Sequence, residues 1–337
     1  MTDRDARARV HRLAARVRPP ALPDHDITDV AESAVIAGLS RSWPRRAAVK
    51  KPETDLDALF DPALDDFPDE LLPFHDHPRY LALDESRRAR LRAWAWIAYN
   101  RNVVDIEQRV VNPGFGLILT DVFGVGPSDT VQLGVLQATV DEQYHTLMHH
   151  NANAVTRRRR GWALPDAVLP DCRTVREHDA AVARAADPRS AALVRFAYTT
   201  VAETSISAYL GLLTGSERLQ PVNRSTVAVH RRDELCHGSL AGELLRMLLE
   251  VFDDTDRDAL LDALAAGVEA FTGGDLTTWE AILRYEQISG ADTLLADTAE
   301  RAATEPVVQD CSAIRRLCTD LGFGDDLDAR WPYPRRG

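Results

Sequence analysis

The stretch His230-Arg231-Arg232-Asp233-Glu234-Leu235-Cys236-His237 decides how the rest of the chain is read. As a helix it places His230, Glu234 and His237 on one face, because steps of four and three residues return to the same stripe. Val227 before them, and Ala241, Leu244, Leu245 and Leu248 after them, continue that stripe with apolar groups. The stripe therefore faces a core. Imidazole and carboxylate groups are costly to bury without partners. A transition metal is the simplest partner for three of them together.

The stretch has a counterpart upstream. Asp141-Glu142-Gln143-Tyr144-His145 repeats the order Asp-Glu-x-x-His of Asp233 to His237. A lone glutamate precedes each copy: Glu107 lies 35 residues before Glu142, and Glu203 lies 31 before Glu234. That spacing fits one helix, a turn and half of the next helix. Glu, Glu-x-x-His, Glu, Glu-x-x-His is the ligand set of a two-metal carboxylate site inside a four-helix bundle. The expectation is an all-α protein, a four-helix bundle with additional surrounding helices.

Composition agrees with a soluble globular chain. The 337 residues are 45% hydrophobic and 27% charged, which leaves ample material for a core. The net charge of −12 argues against nucleic acid or an anionic membrane as partner. Met1 to Leu22 carries six arginines but no apolar run, so it does not read as a signal peptide. No stretch approaches the length of a membrane span. Cys172, Cys236, Cys311 and Cys318 form no Cys-x-x-Cys pair and read as reduced thiols of a cytoplasmic protein.

Along the chain, 1–86 reads as an irregular lead-in with short helices, 87–251 as the ligand-bearing bundle and 252–322 as C-terminal helices, all in one domain. The first long helix is expected over about 86–112, ending before Pro113, with Gly114-Phe115-Gly116 as turn material. The second is expected over about 128–156 with Ser128 as N-cap, followed by a linker over 161–188. The third and fourth are expected over about 189–214 and 222–251. Segments near 255–272, 275–288, 291–302 and 307–321 read as further helices.

Histidine and glutamate with open positions favour iron or manganese over magnesium, and the lack of cysteine ligands disfavours zinc. Four carboxylates neutralise two iron(II) ions and suit O2 activation. His230 stands outside the usual set of six and adds a nitrogen ligand to one metal. Asp141 and Asp233 are placed to accept hydrogen bonds from histidine ligands on neighbouring helices. His149, one turn from His145 on the same stripe, reads either as a further ligand or, since the set is complete without it, as a hydrogen-bonded neighbour of the ligands. Asn100, Val104, Phe196, Thr199, Thr200 and Ser207 flank Glu107 and Glu203 and are candidates for a substrate pocket. The threonine and serine hydroxyls could equally return their bonds to helix carbonyls.

Trp96-Ile97-Ala98-Tyr99-Asn100, Val140 to Thr146, Val201-Ala202-Glu203-Thr204 and His230 to Ser239 resemble the arylamine N-oxygenases of antibiotic biosynthesis. Ser42-Trp43-Pro44-Arg45-Arg46-Ala47-Ala48-Val49 adds to the likeness, which spans about residues 40–320. The resemblance implies a ferritin-like bundle with a non-haem di-iron site. It implies oxidation of an aromatic amine by O2 through hydroxylamine and nitroso stages to a nitro group. Carried over by position, the ligands are Glu107, Glu142, His145, Glu203, His230, Glu234 and His237.

No flavin or nicotinamide motif accompanies the ligands, so electrons are expected from a separate reductase or other external donor. A homodimer is compatible with the sequence. No arginine or lysine falls on the ligand-facing stripe of the four helices. This favours a neutral, chloramphenicol-type aryl amine over an aminobenzoate, unless a loop arginine supplies an anchor. Two other classes fit the ligand pattern: another di-iron oxidase or hydroxylase, and a non-enzymatic iron-binding protein. Iron stoichiometry separates a two-iron enzyme from a store.

Overall fold

The computed structural model describes residues 33–215, 217–304 and 310–331, so part of the lead-in lies outside the described residues. Helices are the regular elements of these residues, and their single isolated bridge joins Asp65 to Leu219. In order the helices are α1 (Ala34–Arg46), α2 (Pro78–Leu81), α3 (Glu85–Ile106), α4 (Asn112–Leu119), α5 (Asp129–Arg160), α6 (Arg173–Arg184), α7 (Pro188–Gly211), α8 (Pro221–Leu249), α9 (Asp254–Thr272), α10 (Thr277–Tyr285), α11 (Ala291–Thr304), α12 (Ser312–Asp320) and α13 (Gly324–Arg330).

Three of the long bundle helices, α3, α5 and α7, begin at polar side-chain caps. Ser128 accepts from the Val131 N–H at 3.3 Å, and Asp187 accepts from the Arg189 and Ser190 N–H groups. Gly161, at φ +66°, ends α5 in the left-handed region, where glycine carries no steric penalty. The 161–188 segment is more than a linker. It holds a turn at Asp166–Val168 and the helix α6, which packs on α7 and α9.

Four helices close the bundle: α3 packs on α5, α5 on α8, α8 on α7, and α7 on α4. The first of them differs from expectation. It does not stop before Pro113 but passes through a π turn at Glu107–Val111 and continues as α4. The Asn112 N–H bonds the Glu107 carbonyl, and the Asn112 side-chain amide reaches the same oxygen at 2.9 Å. The extra residue in the turn places Pro113 in the first turn of α4, where its missing N–H is tolerated. Gly114 is likewise not a turn residue. A Cβ there would overlap the Thr199 side chain, so glycine is what lets α4 lie directly against α7.

Each bundle helix runs from one apolar cluster to another through a polar band. One cluster includes Val110, Ala138, Val201 and Leu240. The other includes Val103, Ala152, Ile206 and Val227. Glu107, Glu142 with His145, Glu203, and His230 with Glu234 and His237 lie between the two on their own helices. The hydrophobic effect that closes both ends of the bundle thus holds the polar band away from water.

Candidate metal centre

The fold gathers Glu107, Glu142, His145, Glu203, His230, Glu234 and His237 at the centre of the bundle, all at most 2% exposed. Their donor atoms form two overlapping groups. Glu107, Glu142, His145, His230 and Glu234 converge in one, and Glu142, Glu203, Glu234 and His237 in the other, with the atoms of each within 4.8 Å of one another. Glu142 and Glu234 belong to both groups. The first group has two histidines and the second has one.

These residues fit a pair of metal ions. Glu107 Oε2, Glu142 Oε1, Glu203 Oε2, Glu234 Oε2 and His237 Nδ1 are buried without a hydrogen-bond partner. Buried polar atoms are rarely left so, and these five belong to the same centre. His237 Nδ1 touches Glu142 Oε1, but not along a hydrogen-bonding direction. His230 Nε2 stands 2.8 Å from Glu234 Oε1.

Burial and the neighbouring carboxylates Glu142, Glu234 and Glu203 push Glu107 well above the usual carboxylate range. Burial, Glu234 and Glu142 do the same to Glu203. Burial also works against ionisation of Glu142 and Glu234. His237 and His145 outweigh it at Glu142, holding it at about 2, and His237 and His230 lead the opposing effects that hold Glu234 low. His145 and His237 are raised despite their burial, first by Glu142. His230 is lowered, by burial and by His145. Without metal these shifts thus favour protons on Glu107, Glu203, His145 and His237 and ionised carboxylates at Glu142 and Glu234.

Around the donors lies a reciprocal set of bonds. His237 Nε2, on α8, meets Asp141 Oδ2, on α5, at 3.3 Å. His145 Nε2, on α5, faces Asp233 Oδ2, on α8, at 3.5 Å. Both histidines therefore turn Nδ1 inward. His230 is turned the other way, with Nε2 inward and Nδ1 bonded to His149 Nε2 at 2.8 Å. His149 in turn bonds Asn100.

Sequence reasoning missed the segment that covers this layer. Trp43 Nε1, on α1, donates to both oxygens of Asp141 at 2.9 Å. The Ala48 N–H donates to Asp233 Oδ2 at 2.9 Å. Arg46 stands between the two aspartates, 3.9 Å from Asp141 and 3.8 Å from Asp233. Arg46 arrives from α1, outside the four bundle helices whose stripes carry no base. The Ser42–Val49 likeness was the available signal.

The residues expected to line a substrate pocket lie apart from the cavity that the structure shows. A cavity of 350 Å³ opens between α3, α7 and α9, lined among others by Tyr99, Asn102, Ile106, Tyr209, Phe271 and Trp279. Asn100, Val104, Phe196, Thr199, Thr200 and Ser207 do not border it. Asn100 turns inward to His149. The Thr199 hydroxyl bonds the Val110 and Arg195 carbonyls, and that of Thr200 bonds the Phe196 carbonyl. Phe196 packs edge-on against Phe123. On α3 the cavity takes the stripe beside the ligand stripe, that of Ala95, Ala98, Tyr99, Asn102 and Ile106. Tyr99 and Tyr209 stack there with centroids 4.6 Å apart.

Fold and centre define the class: an all-helical bundle with a buried carboxylate–histidine cluster able to hold metal. Residues 29–322 match the family model described as P-aminobenzoate N-oxygenase AurF. The chain is 34% identical over 304 residues to a 4-aminobenzoate N-oxygenase of Streptomyces thioluteus, covering 89% of this chain and 90% of that protein. The chain belongs to the AurF family of N-oxygenases. Among the described residues no helix is long and apolar enough to cross a membrane.

Proposed function

We propose that the protein is a di-iron arylamine N-oxygenase that oxidises an aromatic amine with O2, through hydroxylamine and nitroso stages, to a nitro compound in antibiotic biosynthesis. The observation that carries this is the pair of donor groups sharing Glu142 and Glu234. Glu107, Glu142, His145, His230 and Glu234 would hold one iron, and Glu142, Glu203, Glu234 and His237 the other. Bound iron supplies the activation of O2, with electrons from an external donor. The chain's own groups exclude water, hold the imidazoles in fixed tautomers through Asp141 and Asp233, and place the amine.

The amine is best accommodated in the cavity beside Ile106, the residue before Glu107. Its stacked tyrosines and Phe271 suit an aryl ring. Among the described residues Arg173 is the one base on its wall, and Glu269 already holds it at 2.9 Å. The acid on the wall, Asp275, is bonded by Arg176 and Thr277. A substrate carboxylate would need an unengaged base when buried, so the cavity favours a neutral aryl amine. The name of the Streptomyces relative supports 4-aminobenzoate as the second reading.

The test is to load the metal-free protein with iron(II), reduce it, add O2 and a panel of aryl amines, and identify products by mass. N-oxygenated products with about two irons per chain support the proposal. Carbon hydroxylation, or many irons and no product, would replace it with one of the other two classes.

A further inference from the structure

The outward face of α5 carries an apolar stripe with no charge along it. Between Asp129 and Arg157 the acids of this helix are Asp141 and Glu142, both fully buried, and no lysine or arginine occurs. Leu136, Val140 and Leu147 are 49%, 44% and 46% exposed, and Leu133 and Tyr144 are half-buried beside them. At 100° per residue these five side chains fall within an arc of about 80°, on the side of the helix away from Glu142 and His145. Single exposed leucines are ordinary on a protein surface, whereas a contiguous apolar stripe marks a contact.

The spacing of the stripe says what it meets. Leu133, Leu136, Val140, Tyr144 and Leu147 stand at −7, −4, 0, +4 and +7 from Val140, so the pattern reads the same in both chain directions. A two-fold contact requires this symmetry, because where residue i meets j, j must meet i. In an antiparallel pair of α5 helices with the axis at Val140, Val140 meets its own copy. Leu136 then meets Tyr144 of the second copy, and Leu133 meets its Leu147. Steps of three, four and seven let two helices interlock, and antiparallel pairing opposes their dipoles. Charge favours the same occupant. Each copy carries a net charge of −12, so two copies repel unless they meet where neither presents charge. The rim is polar, with Gln143 donating to Gln108 at 3.3 Å, as expected around an apolar contact.

We propose that α5 is a self-association surface, on which a second copy of this chain seats its own α5 antiparallel, with the two-fold axis at Val140. The pairing does not depend on whether the buried centre binds iron. Five side chains on one helix make a contact at the small end of specific interfaces, so the dimer should dissociate on dilution.

The test is sedimentation equilibrium of the full-length chain from micromolar to near-millimolar concentration, which should show a reversible monomer–dimer equilibrium. Val140→Glu sets two like charges against one another on the axis and should raise the dissociation constant at least ~100-fold. Val140→Lys should do the same. Because Val140 is 44% exposed, both variants should keep the parent helicity and melting temperature. An equimolar mixture of the two should recover the dimer, since glutamate then faces lysine. Leu81→Glu, on α2 at 54% exposed, should leave association unchanged. Under oxidation, Leu133→Cys and Leu147→Cys chains should cross-link to each other, above the level of the parent, and not to themselves. A parent chain that stays monomeric throughout overturns the proposal, as does a dimer that survives Val140→Glu. A mixture that fails to recover, or Leu133→Cys chains that link to themselves, overturns the antiparallel pairing at Val140.

Discussion

Asp141 on α5 bonds His237 on α8 at 3.3 Å, and the exchange is returned, since Asp233 on α8 faces His145 on α5 at 3.5 Å. Each aspartate immediately precedes a glutamate of the centre in sequence, yet serves the histidine of the facing helix. The two Asp-Glu-x-x-His motifs are therefore interlocked. Asp141→Asn or Asp233→Asn should weaken iron binding or turnover by ~10–100-fold. Iron titration and steady-state rates check this. Parent values in both variants would remove the role assigned to the aspartates.

The cover supplied by α1 should be worth measurable stability. Trp43→Phe keeps the ring but deletes the N–H that meets Asp141. A hydrogen bond to a charged group contributes about 1.5–3 kcal/mol, and the variant should lose an amount of that order in urea denaturation of the metal-free chain. Arg46→Met should release iron faster, because two aspartates would then face one another without the intervening cation. Loss below about 0.5 kcal/mol for Trp43→Phe, within the range of ordinary surface substitutions, would show that α1 does not brace the centre.

How much of this was open to sequence reading differed from part to part. Steps of three and four placed His230, Glu234 and His237 on one stripe, and such spacing is a local property that survives into the helix. The π turn was hidden because Pro113, Gly114 and Gly116 normally break helices. Here one extra residue and a close approach to Thr199 made them compatible with continuation. Trp43 and Ala48 reach partners 98 and 185 residues away, and no periodicity encodes contacts of that range. Asn100 shares the ligand stripe, so spacing alone could not separate a pocket wall from a bond to His149.

Acid and alkali should act in opposite senses on the metal-free and metal-loaded chains. Glu107, Glu203, His145 and His237 have raised pKa values, so the folded metal-free chain holds protons that the unfolded chain gives up. The histidine contribution is fully present below about pH 6.5, the ordinary imidazole value, and is lost as pH rises through the raised values. Glu142 and Glu234 are lowered, and their contribution is lost as pH falls. Metal binding competes with protons at these four raised groups, so iron uptake should be accompanied by proton release. Thermal melts from pH 6 to 9 should show Tm falling for the metal-free chain only, and acid should strip iron from the loaded one. Identical pH profiles with and without iron would contradict this.

Removing the third histidine should alter chemistry more than assembly. His230→Ala leaves Glu107, Glu142, His145, Glu203, Glu234 and His237, a sufficient set for two metals in a bundle. The variant should retain two irons while its reaction with O2 changes. Two irons with arylamine turnover at the parent rate would leave His230 without a chemical role.

Substrate charge can be tested by competing 4-aminobenzoate against a neutral para-substituted aniline bearing a polar side chain. With Arg173 engaged by Glu269, the neutral amine should have the higher kcat/KM. A clear preference for 4-aminobenzoate would overturn the choice of substrate while leaving the N-oxygenase reading in place. Glu269→Gln would then show whether a released Arg173 shifts the preference further toward the carboxylate.

The most direct measurement is an anomalous-diffraction map of crystals of the iron-loaded protein. Two iron peaks are expected about 3.5–4 Å apart, the spacing of two-metal sites. Glu142 and Glu234 should lie between them, and His230 Nε2 and His145 Nδ1 should both contact the same iron. A single peak, or two peaks with His230 still bonded only to protein, would contradict the three-histidine two-metal centre.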